Sequence, residues 1–166
     1  SNGNDIYALD ETSGAVLHFQ GGGGQYEVDE TFTCRPQNYG GVIVSKLVDL
    51  MSLPNGIMAK ATVLAVDETG NLIYCGPNIN PTVQTLTPPD QYLGKVAGLA
   101  QSGKILLVLD NGRNMIWRYG DPQQDVENPS EGLVDWTRAP KPYFQENPPS
   151  LTNVTDFVVH EDYLYL

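Results

Sequence analysis

Carboxylates are the residues of this chain whose positions could support chemistry. Asp49 and Asp156 occupy matching places in two short apolar segments, Leu47 to Met51 and Val154 to Val158. Carboxylates that repeated segments bring together could hold a cation or a polar ligand. The simpler interpretation is that the two side chains face water at the end of a strand. The sequence does not decide between these interpretations.

A second set of aspartates recurs at one position of a repeated turn, namely Asp10, Asp67 and Asp110. Each follows an apolar run and precedes a polar turn that contains glycine. Because an aspartate in such a turn can bond to the backbone of the same turn, we interpret all three as turn caps. A calcium site needs roughly six to eight oxygen ligands in one place, whereas these carboxylates belong to separate repeats.

The histidines and cysteines form no recognisable catalytic or metal-binding pattern. His18 and His160 have no serine or cysteine in a nucleophile-elbow context, so no catalytic residue is predicted. Cys34 and Cys75 could form a disulfide in an oxidising compartment or remain two buried thiols. Neither cysteine belongs to a C-x-x-C pair with zinc-ligand spacing. The sequence therefore predicts no metal site and no cofactor.

Composition restricts the class of protein and of partner. The chain has 166 residues, of which 40% are hydrophobic and 17% charged, and this balance is typical of a folded globular protein. Its 20 acidic residues outnumber 9 basic ones, which gives a net charge of -11. Such a surface repels phosphate backbones and anionic lipids. No apolar run reaches the ~20 residues of a membrane-spanning helix. We therefore expect neither nucleic-acid binding nor membrane insertion.

The elements that must position these residues are repeated hairpins. An apolar strand, an aspartate, a turn with glycine and a second apolar strand recur in Asp5 to Phe19, Thr62 to Tyr74 and Ile105 to Tyr119. Branched and aromatic residues on both sides of a short turn are typical of β-hairpins. We predict that Gly70 and Gly112 take positive φ in these turns.

Each hairpin is one part of a larger four-stranded unit. A short apolar strand precedes the second and third hairpins, and a Pro-rich connection with a weak outer strand follows them. The spacing of the turn aspartates is close to the period of about 40 to 50 residues shown by β-propeller blades. The sequence thus predicts an all-β fold of antiparallel four-stranded blades. Residues 1–166 would form one propeller segment of about three blades.

The ends of the chain carry their own expectations. Ser1 to Gly3 looks like a cloning remnant, and both termini are expected to lie within a blade. Because propellers have roughly 4 to 8 blades, three cannot close a ring. We expect either a homodimer that completes the ring, with Tyr163 to Leu166 of one copy beside Asp5 to Asp10 of the other, or the remainder of a larger chain.

Three segments resemble the repeats of known propeller families. Asp5 to Phe19 resembles the repeat of pyrroloquinoline-quinone-type propellers, where a Tyr-Ala-Leu-Asp strand leads through a Thr-Gly turn to a strand ending in an aromatic residue. Leu107 to Tyr119 and Val154 to Leu166 are similar to NHL-like blades, including those fused to bacterial phosphatases of the PP2C type. The resemblance implies the fold alone. In such a ring the first strand of each blade lines the central channel, which would place Asp49 and Asp156 there.

Several functions remain compatible with this reading. The leading hypothesis is a non-catalytic module that binds a protein or small-molecule ligand, as a sensory or scaffolding part of a larger protein. The alternatives are a lactonase-like hydrolase with a metal on the channel axis, a quinoprotein dehydrogenase fragment, and a purely structural assembly element. Trp136, Tyr143 and Phe144, which lie in a Pro-rich stretch, are the candidate partner-binding residues. They could instead fold back over the outer edge of a blade. The location stays open, with an extracytoplasmic or secreted one favoured.

Overall fold

The protein is all-β, as the sequence predicts. A computed structural model describes residues 5–53, 60–103, 105–120, 136, 138–146, 148–160 and 163–166. Within these residues the regular structure consists of antiparallel β-strands and one short 3-10 turn, Asn111–Arg113. The strands form four successive sheets and one connecting hairpin.

Sheet 1 and the connecting hairpin come first along the chain. Sheet 1 has the order β1 (Asp5–Asp10), β2 (Ala15–Gly22) and β3 (Gln25–Val28). The connecting hairpin consists of β4 (Gln37–Tyr39) and β5 (Val42–Val44). Neighbouring strands in both are antiparallel, as expected for strands joined by tight turns.

Sheets 2 and 3 are four-stranded meanders in which chain order equals spatial order. The strands of sheet 2 are β6 (Leu47–Ser52), β7 (Val63–Asp67), β8 (Asn71–Cys75) and β9 (Thr82–Thr85). The strands of sheet 3 are β10 (Val96–Ser102), β11 (Ile105–Asp110), β12 (Met115–Tyr119) and β13 (Lys141–Pro142). Sheet 4 is the hairpin of β14 (Val158–His160) and β15 (Tyr163–Tyr165). The described residues thus contain the four-stranded antiparallel unit twice.

The hydrophobic core lies between the sheets. Along β7, the side chains of Val63 and Ala65 pack toward sheet 1, and those of Leu64 and Val66 pack toward sheet 3. This follows from the alternation of side chains along a strand. Every residue of β7 and β8 is buried, because both faces of sheet 2 are covered. Such strands read as continuous apolar runs in the sequence.

Sheet 3 is likewise packed on both faces. Leu106 and Val108 of β11 join the cluster shared with sheet 2, and Leu107 joins the cluster that contacts sheet 4. From the sheet 4 side, Val159 and Leu164 pack into that last cluster. The four sheets therefore stack face to face in the order of the chain.

The turn aspartates cap their turns, as predicted. Asp67 accepts hydrogen bonds from the backbone N–H groups of Thr69 and Asn71, both at 2.9 Å. Its other oxygen accepts from the N–H of Ser45, at 2.9 Å, in the segment that leads into β6. Asp110 makes the corresponding bond to the N–H of Gly94, also at 2.9 Å, ahead of β10. In both sheets, the aspartate at this position of the repeat thus fixes the turn and the segment that leads into the first strand.

Of the two turn glycines, one confirms the prediction and one contradicts it. Gly70 has φ +91°, so a residue with a side chain would be strained there. Gly112 lies in the 3-10 turn, and Asn114, with φ 53°, takes the left-handed conformation instead. Gly112 is required for a different reason, since a Cβ there would collide with the backbone nitrogen of Lys95.

Replacing Gly70 with valine should lower the free energy of unfolding by about 1 kcal/mol or more, since a β-branched residue tolerates positive φ poorly. A Cβ at this position would also lie 2.6 Å from Cδ1 of Leu93. Gly22 is the matched control, because it is the exposed last residue of β2 and does not have positive φ. Urea denaturation of G70V and G22V measures the difference. Equal losses in the two variants would contradict the assignment of the turn.

Candidate functional site at the first strands

The first strands of sheets 2, 3 and 4 form a row. β6 packs against β10, and β10 packs against β14. Asp49 in β6 and Gly98 in β10 occupy corresponding positions, because each follows a one-residue irregularity in the pairing with the next strand. Asp156 lies two residues before β14, the first strand of sheet 4. The row brings together the segments in which the sequence singled out carboxylates.

The Asp49 carboxylate joins two neighbouring sheets. One oxygen, Oδ1, accepts a hydrogen bond from the backbone N–H of Leu50 at 2.7 Å. The other, Oδ2, accepts from the backbone N–H of Leu99 in β10 at 2.6 Å. A carboxylate that accepts backbone N–H groups makes shorter and stronger bonds than a neutral acceptor. Asp49 is therefore a connector between the first strands of sheets 2 and 3.

Gly98 makes room for this connection. A Cβ at Gly98 would lie 3.4 Å from Oδ2 of Asp49 and 3.3 Å from Cδ1 of Phe157. Both contacts are tight, so a side chain here would press on the carboxylate from one side and on the aromatic ring from the other. The absence of a side chain lets β6, β10 and the start of sheet 4 approach closely.

Asp156 repeats part of the Asp49 geometry. Its Oδ1 accepts from the N–H of the following residue, Phe157, at 2.6 Å, as the Oδ1 of Asp49 does from Leu50. Unlike Asp49, Asp156 is exposed. Its charge lies near enough to Asp49 to contribute to the raised pKa of that carboxyl. The structure thus brings the two predicted carboxylates into one region, and their place along a channel stays a prediction.

Burial raises the pKa of Asp49 to about 6. The hydrogen bonds from Leu99 and Leu50 oppose this rise by stabilising the ionised form, while the negative charge of Asp156 adds to it. A carboxyl group with this pKa exchanges its proton near neutral pH. Because both oxygens are already bonded to the backbone, the group is suited to a pH-sensitive structural contact.

Stability should therefore depend on pH through Asp49. The folded protein holds this proton more tightly than the unfolded chain, so the free energy of unfolding falls as the pH rises from the ordinary value of 3.8 to about 6. Asp49→Asn should remove this decrease. Urea denaturation of both proteins across that range measures it. Glu30→Gln, at an exposed carboxylate, is the matched control and should keep the wild-type slope. A D49N slope equal to the wild-type slope would contradict the prediction.

The three predicted partner-binding residues do not form a common surface. Trp136 is fully buried in the core between sheets 2 and 3, which corrects its assignment to a binding rim. Tyr143 and Phe144 are half-buried, contact each other edge to face at 5.2 Å, and pack on the cluster that lies between sheets 3 and 4. Aromatic rings cover large apolar areas, and these cover the protein's own sheet. All three residues thus pack against the protein's own sheets, Tyr143 and Phe144 in part and Trp136 completely, and Trp136 does so in the interior rather than at the outer edge of a blade.

The sequence interpretation missed a buried polar cluster in sheet 1. The ring of His18 is buried, stacks on Tyr7 at 4.7 Å, and places Nδ1 3.0 Å from Oδ2 of Asp29. Its Nε2 lies 3.4 Å from Oδ1 of Asp5. The side-chain alternation of β2 could have shown that His18 faces inward, but nothing in the spacing identifies Asp29 as its partner.

Known proteins give no further guide to this chain. Comparison with models of protein families, with curated proteins and with solved structures found no match. Within the part of the chain that the structure describes, no three His, Cys, Asp or Glu side chains are grouped so that they could hold a metal ion. The same described residues contain no helix that is long and apolar enough to cross a membrane. The functional interpretation therefore rests on the contacts of the chain's own residues.

Proposed function

We propose that this protein is a non-catalytic β-propeller module, related in build to the pyrroloquinoline-quinone-type and NHL-like blades that its hairpins resemble. It would bind a protein or small-molecule ligand as a sensory or scaffolding part of a larger protein. The observation that carries the proposal is the bond from Leu99 to Asp49, at 2.6 Å, which joins the first strands of two sheets of the same build. First strands that meet side by side are what a radial arrangement of blades requires.

The contacts of Asp49 favour a structural role over a catalytic one. One oxygen accepts from the backbone N–H of Leu99 in the neighbouring sheet and the other from that of Leu50, so the carboxylate already serves as a contact between β6 and β10. Asp156 is the exposed carboxylate of the same row. Together with the net charge of -11, it favours a ligand that carries positive charge.

The disulfide supports an extracytoplasmic or secreted location. Cys34 and Cys75 are bonded to each other, and both are buried. Disulfides persist in oxidising compartments and are rare in the reducing cytosol. We therefore propose that the protein works outside the cytoplasm.

Thermal denaturation with a panel of candidate ligands tests the binding role. The panel pairs cationic small molecules and basic peptides with neutral and acidic analogues. We expect the cationic members alone to raise the melting temperature, because they match the charge of the protein. Asp156→Asn should weaken this stabilisation, whereas Glu30→Gln, at an exposed carboxylate outside the row, should not.

Two further measurements would overturn the proposal. Turnover of a lactone by the native protein, together with a stoichiometric metal content, would favour the hydrolase alternative. An experimental structure in which the first strands of the sheets do not surround a common axis would contradict the propeller arrangement. Stabilisation by a ligand without turnover, together with a radial arrangement, would support it.

A further inference from the structure

The outer face of sheet 1 is apolar. In β1 and β2, Tyr7, Leu9 and Val16 point inward and pack toward sheet 2. The alternate residues of the three strands therefore point away from sheet 2, and cross-strand pairing groups them on one face. Most of these outward residues are apolar or aromatic and at least partly exposed, namely Ile6, Ala8, Ala15, Leu17, Phe19, Tyr26 and Val28. Gly21 also lies on this face, and so does Asp10, at the end of β1 beside the turn.

The outer face of sheet 4 has the same character. Val159 and Leu164 pack inward onto the cluster shared with sheet 3. Val158 pairs with Tyr165 across the hairpin and His160 pairs with Tyr163, so these four side chains share the outer face. Val158, Tyr163 and Tyr165 are 56%, 65% and 54% exposed, respectively. This sheet therefore has one covered apolar face and one open face that is apolar except for His160.

Sheets 2 and 3 show what such faces do elsewhere in this protein. Both are covered on each side by the apolar face of a neighbouring sheet. Three contacts of this kind occur in succession, between sheets 1 and 2, 2 and 3, and 3 and 4. An open and largely apolar face at each end of the stack is suited to a further contact of the same kind, since burying apolar area is favourable.

We propose that the outer face of sheet 4 in one copy of the chain packs on the outer face of sheet 1 in a second copy. A second copy is the occupant that the fold itself supports, because the new contact continues the series of sheet contacts within the chain. Each copy offers one face of each kind, so the contact is head to tail. Two such contacts close a dimer when each copy contributes a half turn.

This contact differs from strand exchange at the chain ends. Packing of faces needs no hydrogen bonds between the edges of β15 and β1, and it leaves the sheets of each copy intact. It also does not depend on the proposed ligand-binding role, since it rests on the two outer faces alone.

Charge opposes this association, and salt should relieve the opposition. Each copy has a net charge of -11, so two copies repel each other at low ionic strength. Screening shortens the range of this repulsion to about 8 Å at physiological ionic strength. We therefore expect the dimer to bind more tightly as salt is added, the reverse of an interface held by ion pairs.

Light scattering of the purified chain tests the proposal. We expect a mass twice the 18.2 kDa of one chain. Ile6→Glu and Tyr165→Glu should each give a mass near that of one chain, because each places a charge in the contact. Ile43→Glu is the matched control, since Ile43 is 73% exposed but belongs to neither outer face. Circular dichroism spectra that match the wild-type spectrum show that the variants fold.

A mixture of the two disrupted variants tests the head-to-tail geometry. I6E retains an intact sheet 4 face and Y165E retains an intact sheet 1 face, so together they can form one of the two contacts. We expect the equimolar mixture to dimerise more tightly than either variant alone. A wild-type mass of one chain at high concentration and high salt would overturn the proposal. Dimerisation of I6E or Y165E with wild-type affinity, or no gain on mixing, would also overturn it. None of these measurements uses a ligand, so their failure is distinct from failure of the binding role.

Discussion

Breaking the Cys34–Cys75 disulfide should lower the free energy of unfolding by about 4 kcal/mol in the chain-entropy treatment of a cross-link. The two cysteines are 41 residues apart in sequence, so the bond closes a long loop that the unfolded chain would otherwise leave free. It ties the segment after β3 to the end of β8, and both cysteines are buried between sheets 1 and 2. Urea denaturation with and without a reducing agent measures the loss.

A double variant provides the control for this experiment. Cys34→Ala/Cys75→Ala should unfold at lower urea concentration than the oxidised wild type, and the reducing agent should not change its midpoint. Thiol titration of the unfolded wild type without reductant should find no free thiol, since both cysteines are bonded. Two free thiols, or identical midpoints with and without reductant, would show that the bond does not form.

Asp67→Ala should lower the free energy of unfolding by about 3 kcal/mol or more. The carboxylate is fully buried, so its removal would leave the buried groups that donate to it without an acceptor. Its oxygens accept from backbone and side-chain groups of Ser45, Thr69 and Asn71 at 2.8 to 2.9 Å. Those bonds hold both the turn and the entry into β6, so their loss affects two parts of sheet 2. Urea denaturation of the variant measures the cost.

Asp10→Ala is the matched control for this variant. Asp10 occupies the same position of its repeat and caps its turn through Thr12 and Ser13, but these bonds are exposed to water. Water can replace them, so the loss of stability should be much smaller. Equal losses at Asp10 and Asp67 would contradict the view that burial makes the difference.

The stability that Asp67 contributes should also disappear in acid. Burial raises the pKa of this carboxyl, but the hydrogen bonds from Asn71, Ser45 and Thr69 outweigh burial and hold the pKa below the ordinary value of 3.8. A lowered pKa contributes stability above the ordinary value, and the contribution is lost as the pH falls through the folded-state value. The difference in unfolding free energy between wild type and D67A should therefore shrink in acid, and urea denaturation measured stepwise downward from pH 3.8 follows it.

The hairpins could be predicted from the sequence because their determinants are local. In Val63–Asp67 and Asn71–Cys75 an apolar run, an aspartate and a glycine turn follow one another within a few residues. The left-handed position in the third turn could not be predicted, because the 3-10 turn moves it from Gly112 to Asn114. Two turns with the same sequence elements thus differ in backbone path.

The candidate site was predictable only as a set of positions. Alignment of the repeats placed Asp49 and Asp156 in corresponding segments. It could not predict that the N–H of Leu99 donates a hydrogen bond to Asp49. That bond joins residues 50 positions apart in sequence. The sequence interpretation assigns Trp136 to the wrong environment. An aromatic residue in a Pro-rich stretch suggests an exposed binding surface, but Trp136 is buried between sheets 2 and 3.

The sequence by itself determined the repeated antiparallel hairpins and their capping aspartates, since backbone preference and side-chain alternation act over a few residues. It did not indicate β3 or the β4–β5 hairpin, which lie outside the repeated pattern. Only the tertiary structure decided that Cys34 bonds to Cys75, that Asp49 connects two sheets, and that sheets 1 and 4 keep open apolar faces. These outcomes depend on which faces stack and in what order. Stacking is governed by the burial of apolar area, which is not directional and so leaves no local mark in the sequence.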